Sequence, residues 1–167
     1  MLFRSRIQLG QTNLGDVWSH GLLGEPGSIR SLIPFHKLSQ WLTYSLFEPF
    51  ARAGLTVTLD GAMTGLPEYR NGGLLVDLGV LVPKHDDVRG KIHTPGDEVI
   101  VEWRALTVAL IDRVAQGVRE RLGKSPVEMP LASVLEGGTW AAGRAVAARL
   151  REGGGPPIRI ASDGTVF

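Results

Sequence analysis

Fourteen consecutive residues, Asp60 to Gly73, carry the densest set of side chains suited to chemistry: Asp60, Glu68, Tyr69, Arg70 and Asn71, set among four glycines. A carboxylate against a low-polarity wall serves as a general base or stabilises a cation-like transition state. An arginine fork grips phosphate or carboxylate, and glycine lets a backbone approach a ligand closely. The same residues also suit a plain turn into a helix, with Glu68 in the first turn favouring the helix dipole. A second group is Glu98, Glu102 and Arg104. Its two glutamates stand four residues apart and share a helix face. They call for a cation between them, such as Arg70, Lys37 or a ligand, or else lie on a solvated face. In a third group, Phe35 to Trp41, His36 and Gln40 share a face, and with Lys37 they are candidates to line a pocket.

The remaining motifs exclude more than they assign. His20, His85 and His93 are scattered among loop signals, and no HExxH spacing supports a metal site. There is no P-loop, no GxGxxG after a strand and no GxSxG elbow. Gly137-Gly138-Thr139 suits either an anion at a helix N-terminus or a simple turn and cap. Arg144, Arg149 and Arg151 read as a solvated face, without the aromatic neighbours that a nucleic-acid stripe needs.

The 167 residues fit one domain, long enough to bury roughly two-thirds of the unfolded chain's surface. Hydrophobic residues at 43% and charged residues at 21% exclude wholesale disorder. A formal net charge of +1 gives no global reason to expect nucleic acid or an anionic membrane as partner. The absence of cysteine removes disulfides, thiol nucleophiles and zinc–thiolate sites, and fits a reducing, cytoplasmic location. The N-terminus is charged too early for a signal peptide, and no run of about 18 uncharged apolar residues exists for a membrane span.

The elements that must position these residues are mostly helical. Residues 1–34 are broken by glycine and proline and read as an irregular lead-in that leans on something else. Pro34 suits a helix start, and Leu38, Trp41, Leu42 and Leu46 recur at helical spacing, with Pro49 expected to kink or break the helix near Leu46. Leu55–Leu59 alternates and is expected to form a short strand. A helix is expected over Glu68–Leu81, then a surface loop over Lys84–Asp97. The clearest helix is Asp97–Leu122, capped by Asp97 and stopped by Gly123. Another is expected from about Thr139 to Arg151, and a small strand over Ile158–Ile160. The sum is a helical domain over residues 35–167 with one or two minor strands.

Several phrases in order resemble a known family. They are the Pro34–Leu46 stretch, Leu66-Pro67-Glu68-Tyr69-Arg70-Asn71-Gly72-Gly73, Val101–Thr107, Leu135–Arg144 and Ser162–Phe167. Together they resemble the fungal and bacterial uracil-catabolism family of the ribosylurea route, whose members are longer. The resemblance implies that an N-terminal half is missing here, and that this half, or a second copy, covers apolar surface that the chain exposes. The Glu68-Tyr69-Arg70 phrase with a later Glu-x-Arg is also similar to queuosine-salvage nucleotide N-glycosidases, where the acidic position is Asp. That similarity implies a DNA-glycosylase-like helical fold and an N-glycosidic hydrolase acting on a ribosylurea-type nucleoside or nucleotide. Glu68 then takes the catalytic role, with Asp60 or Glu102 on the ribose hydroxyls. Arg70, Arg104 or Lys37 takes a phosphate, and Tyr69, Asn71 and Trp41 lie against the ligand. No metal or cofactor is called for. The competing expectation is a non-catalytic helical scaffold or binding subunit, or an inactive fragment.

Overall fold

In the computed structural model, residues 7–58 and 63–161 are described. Order along the chain begins with two hairpins: β1 (Gln8–Leu9) with β2 (Thr12–Asn13), and β3 (Val17–Ser19) with β4 (Leu32–Pro34), both antiparallel. The helices follow as α1 (Lys37–Arg52), α2 (Tyr69–Asp77), the short α3 (Asp87–Gly90) and the long α4 (Glu98–Leu122). A last helical rod comprises α5 (Leu131–Ser133), a π-helical segment (Val134–Trp140) and α6 (Ala141–Leu150). β5 (Ile92–His93) pairs in parallel with β6 (Arg159–Ile160). The fold is mostly helical, as the apolar periodicity predicts.

The core sits where α2 crosses α4 and α6. Val76, Val88, Ile100, Trp103 and Ile158 form one buried cluster, and Leu66, Ile111 and Leu135 another. The crossings explain glycines that the sequence suggests as ligand contacts. A Cβ on Gly72 would stand 2.6 Å from Thr107 Oγ1 and 2.8 Å from Trp103 Nε1, and the Trp103 indole donates to Gly72 O at 3.1 Å. Gly143 on α6 likewise leaves room for the carbonyl of Arg70. These glycines set interhelical distance.

Several expectations change. Residues 7–34 are not irregular: they hold two hairpins, and Trp18 of β3 packs with Phe35 and Val101. Residues 55–58 form no strand, and Leu59 lies outside the described residues. α1 is not broken near Leu46: it continues through Pro49 to Arg52. The Lys84–Asp97 loop contains α3 and β5. His93 there is 1% exposed, with its ring nitrogens 3.2 Å from Asp97 Oδ2 and 3.0 Å from Val88 O. The last helix starts at Leu131, not Thr139. Its backbone stays right-handed helical through Ser133, Val134, Trp140 and Ala141, so Gly137-Gly138-Thr139 is no helix N-terminus.

The interior face of the first major helix is also reversed. Leu38, Trp41, Leu42, Leu46 and Phe50 of α1 are all between 37% and 54% exposed. The inward positions are Lys37, Gln40 and Tyr44. Gln40 Oε1 accepts from Thr64 N at 3.1 Å, and Tyr44 donates to Thr64 O at 2.8 Å, so α1 grips the segment that leads to Glu68. Burial, with Asp112 nearby, pushes the Tyr44 hydroxyl up to about 12, which keeps it a neutral donor.

One ion pair joins hairpin, helix start and core. Arg104 of α4 is fully enclosed and donates from both terminal nitrogens to the two Asp16 oxygens at 2.7 Å. Its guanidinium carbon lies 4.1 Å from the Phe35 ring centroid. Removing one member of such an enclosed pair strands the other charge. Arg104→Met or Asp16→Asn is therefore expected to lower stability by about 3–5 kcal/mol in urea unfolding, with the double variant recovering part of the loss. Leu42→Glu with Leu46→Glu, on the exposed α1 stripe, is expected to change stability by less than about 0.5 kcal/mol while reducing the binding of an apolar fluorescent dye.

Candidate active site

The site begins at a strained turn. His36, at φ 46° and ψ 43°, is the one non-glycine residue with positive φ among those described. That conformation is unfavourable for an L-residue and needs surrounding structure to hold it. Asp16 supplies the hold: its carbonyl accepts from Phe35 N at 2.9 Å and His36 N at 3.3 Å, and its Oδ2 accepts from Lys37 N at 3.1 Å. The turn leaves His36 exposed and sends Lys37 inward, to 9% exposure.

Glu68 arrives from the other side. Pro67 and Leu66 are enclosed, and α1 holds Thr64. Glu68 is the N-cap of α2: its Oε2 accepts from Arg70 N at 2.9 Å and Asn71 N at 3.3 Å. This is the side-chain capping that an extended residue before a helix provides, worth ~1 kcal/mol. The other oxygen, Oε1, faces Arg70 Nε at 3.9 Å. The carboxylate is 7% exposed.

The electrostatics of the two groups are opposed. Burial raises the Glu68 proton affinity, and this outweighs the lowering by the two backbone N–H groups, Lys37 and Arg70. Burial depresses Lys37 first, Arg104 adds to the depression, and Glu68 and Asp16 only partly offset it. For Asp16 burial also pushes upward, but the Arg104 guanidinium, with Lys37 N and the Trp18 indole, holds it below the ordinary carboxylate range. The Lys37 ammonium makes no ion pair or hydrogen bond among the described residues. Glu68 is thus an enclosed acid with raised proton affinity, and Lys37 an enclosed base with lowered affinity that acts on it electrostatically without forming an ion pair among the described residues.

The other candidates separate. Asn71 is fully enclosed, with its amide spent on Leu66 O at 3.2 Å and on the Thr139 hydroxyl at 2.8 Å. Arg104 is enclosed against Asp16. Glu98 accepts from Gly21 N at 2.7 Å. Glu102 is exposed and lines a separate cleft of about 410 Å³ with Lys84, His85 and apolar residues. Asp60 lies outside the described residues. Tyr69 and Arg70 line a cavity of about 500 Å³, and the Arg70 guanidinium carbon is 5.1 Å from the Tyr69 ring centroid. Trp41 lines a cleft of about 150 Å³ with Tyr44, Leu66, Glu136 and Trp140.

Three contributors escape the sequence reading: Asp16, Trp140 and Arg144. The Trp140 indole N–H is buried with no hydrogen-bond partner among the described residues, a costly state for a polar group. Glu136, Trp140, Arg144 and Ala148 succeed each other at intervals of four along the last helix, and they line the aromatic cleft and then the larger cavity. The Leu66 carbonyl, between cleft and carboxylate, accepts from Glu68 N at 2.8 Å. Among the described residues, no three His, Cys, Asp or Glu side chains gather as a metal site, and no helix is long and apolar enough to cross a membrane.

The depressed Lys37 gives a pH signature. Its folded pKa lies below its unfolded value of 10.5, so the folded state binds fewer protons and this contribution grows as pH rises towards 10.5. The stability difference between the native chain and Lys37→Met is expected to move in favour of the native chain between neutral pH and pH ~10. Urea titrations at several pH values check this, and a pH-independent difference would sink it.

No solved structure matches the chain. The protein urg3 of Schizosaccharomyces pombe is 47% identical over 158 residues, covering 93% of this chain and 38% of that protein. Uracil catabolism protein 4 of Lachancea kluyveri is 41% identical over 184 residues, covering 97% of this chain and 41% of that protein. The chain thus spans about two-fifths of the length of these relatives. The model of the family described as a protein of unknown function, DUF1688, matches residues 2–167, and the chain belongs to that family.

Proposed function

We propose that this chain serves uracil catabolism, as part of an N-glycosidic hydrolase acting on a ribosylurea-type nucleoside or nucleotide. The place in uracil catabolism is inferred from the relative that carries that name. The single observation that carries the chemistry is the enclosed Glu68 carboxylate, pinned through one oxygen and raised in proton affinity by its burial.

Cleaving the bond between the ribose anomeric carbon and the ureido nitrogen builds positive charge on the sugar. A fixed carboxylate stabilises that charge and takes a proton from the attacking water. The water oxygen bonds to the anomeric carbon as the C–N bond breaks, and the departing nitrogen needs a proton. Lys37, whose proton is held less tightly than usual, is suited to give it. The aromatic cleft of Trp41, Tyr44 and Trp140 suits the planar ureido group. Asp60 keeps its proposed part in holding ribose hydroxyls. Glu102, on a separate cleft, is not used in this scheme.

One observation favours a second reading, a binding or scaffold subunit without chemistry. Glu68 Oε2 is committed to the α2 cap and Arg104 to Asp16, both structural tasks. Free urea released from ribosylurea or its phosphate separates the two. Glu68→Gln keeps a carbonyl oxygen for the cap, so it tests the charge with the fold kept. The expected result is urea release by the native chain that falls at least ~100-fold in Glu68→Gln. Equal rates would remove Glu68 from the chemistry, and no release by either protein would favour the binding subunit.

A further inference from the structure

The cavity beside Tyr69 has an unbalanced charge. It is enclosed by the start of α2, the outward face of α6 and the Gly153–Gly155 turn, and holds about 500 Å³. Arg70 and Arg144 are its charged lining, and no acidic side chain lines it among the described residues. Arg144 makes no ion pair or hydrogen bond among them, and Arg70 has only the distant Glu68 oxygen at 3.9 Å and the Tyr69 ring. A third arginine nearby shows the contrast. Arg151 pairs with Asp77 at 2.7 and 2.5 Å and donates to Gly155 O at 2.7 Å, so it fixes the glycine turn and is neutralised.

Two guanidinium groups left facing one cavity favour a bound anion. Arg70 shares the Glu68 carboxylate while Arg144 has no acid partner among the described residues, so the lining keeps a positive charge that a phosphate monoester neutralises, with several oxygens to accept from both guanidinium forks. The cavity is large enough for a phosphate with part of its sugar. Its position decides which molecule carries the phosphate, because Arg70 lines the cavity while its Nε faces Glu68.

We propose that the Arg70–Arg144 cavity is a phosphate subsite, so that the molecule presented to Glu68 is a phosphorylated riboside and not a free nucleoside. The identity of that molecule rests on the N-glycosidase reading; the binding of phosphate does not.

Titration calorimetry of the chain with ribose 5-phosphate, ribose and inorganic phosphate tests the subsite directly. Ribose 5-phosphate binds, ribose does not compete with it, and inorganic phosphate does. Arg144→Gln, at an exposed position where melting is expected to be unchanged, weakens ribose 5-phosphate binding at least ~10-fold, as does Arg70→Gln. Ribose binding as tightly as its phosphate, or Arg144→Gln binding the phosphate like the native chain, would overturn the subsite. Urea release completes the separation. Phosphate binding without release from either substrate leaves the subsite standing and removes the glycosidase reading. Equal kcat/KM for ribosylurea and its phosphate overturns the subsite and leaves the glycosidase reading standing.

Discussion

The Asp16–Arg104 pair is the constraint on which the remaining geometry depends. Asp16 accepts the two Arg104 bonds, the Trp18 indole, and the backbone N–H groups of Phe35, His36 and Lys37. Arg104 in turn stacks on Phe35 and reaches Pro67 O at 3.5 Å, one residue before Glu68. Burying two charges is costly, and a well-packed apolar pair would often be as stable. The pair secures position instead. Through it the β3–β4 hairpin, the first turn of α1 and the approach to α2 are fixed to one point on α4. Lys37 and Glu68 come from different elements, and both are placed relative to that point.

The last helix supplies the second half of the site by an irregularity. In a plain α-helix side chains advance by about 100° per residue. A π-helical stretch adds a residue per turn and rotates everything beyond it, and such stretches recur at functional sites. Here the wider stretch covers Val134–Trp140. Thr139 within it reaches the enclosed Asn71, while Trp140 at its end turns to the aromatic cleft and Arg144, one turn on, to the larger cavity. The packing of α6 on α2 through Gly143 holds this rotation in place.

Local signals are legible in the sequence where one element contains both signal and answer. α4 shows its apolar period and its Gly123 stop, where Gly123 takes the left-handed conformation at φ 62°, but the Asp97 carboxylate at its start turns to His93 and Thr94 and caps no helix N–H. Glu68 as an N-terminal helix residue was legible for the same reason. Asp16 was not, because its partner lies 88 residues away and its own surroundings are broken by glycine. The α1 stripe misled in a different way. Apolar periodicity reports which residues share a face, and only tertiary structure decides whether that face is covered. In the sequence Arg144 is one of several surface arginines, and the lack of an acid partner among the described residues distinguishes it from Arg151.

The capping role of Glu68 invites the view that nothing more is needed of it. A cap, however, requires one oxygen near the helix start, and exposed Ser, Thr or Asp provides that at little cost. Here the cap is carried by an enclosed carboxylate whose proton affinity is raised, within the electrostatic influence of an enclosed lysine whose affinity is lowered. The lysine reaches its place through a left-handed His36. Each of these features is unfavourable for a purely structural turn. Capping and chemistry are also compatible in geometry: two N–H bonds to one oxygen fix the carboxylate plane, and the other oxygen keeps a defined direction. The expense of enclosing both charges is understandable if their mutual placement, and not the stability of the α2 start, is what the fold maintains.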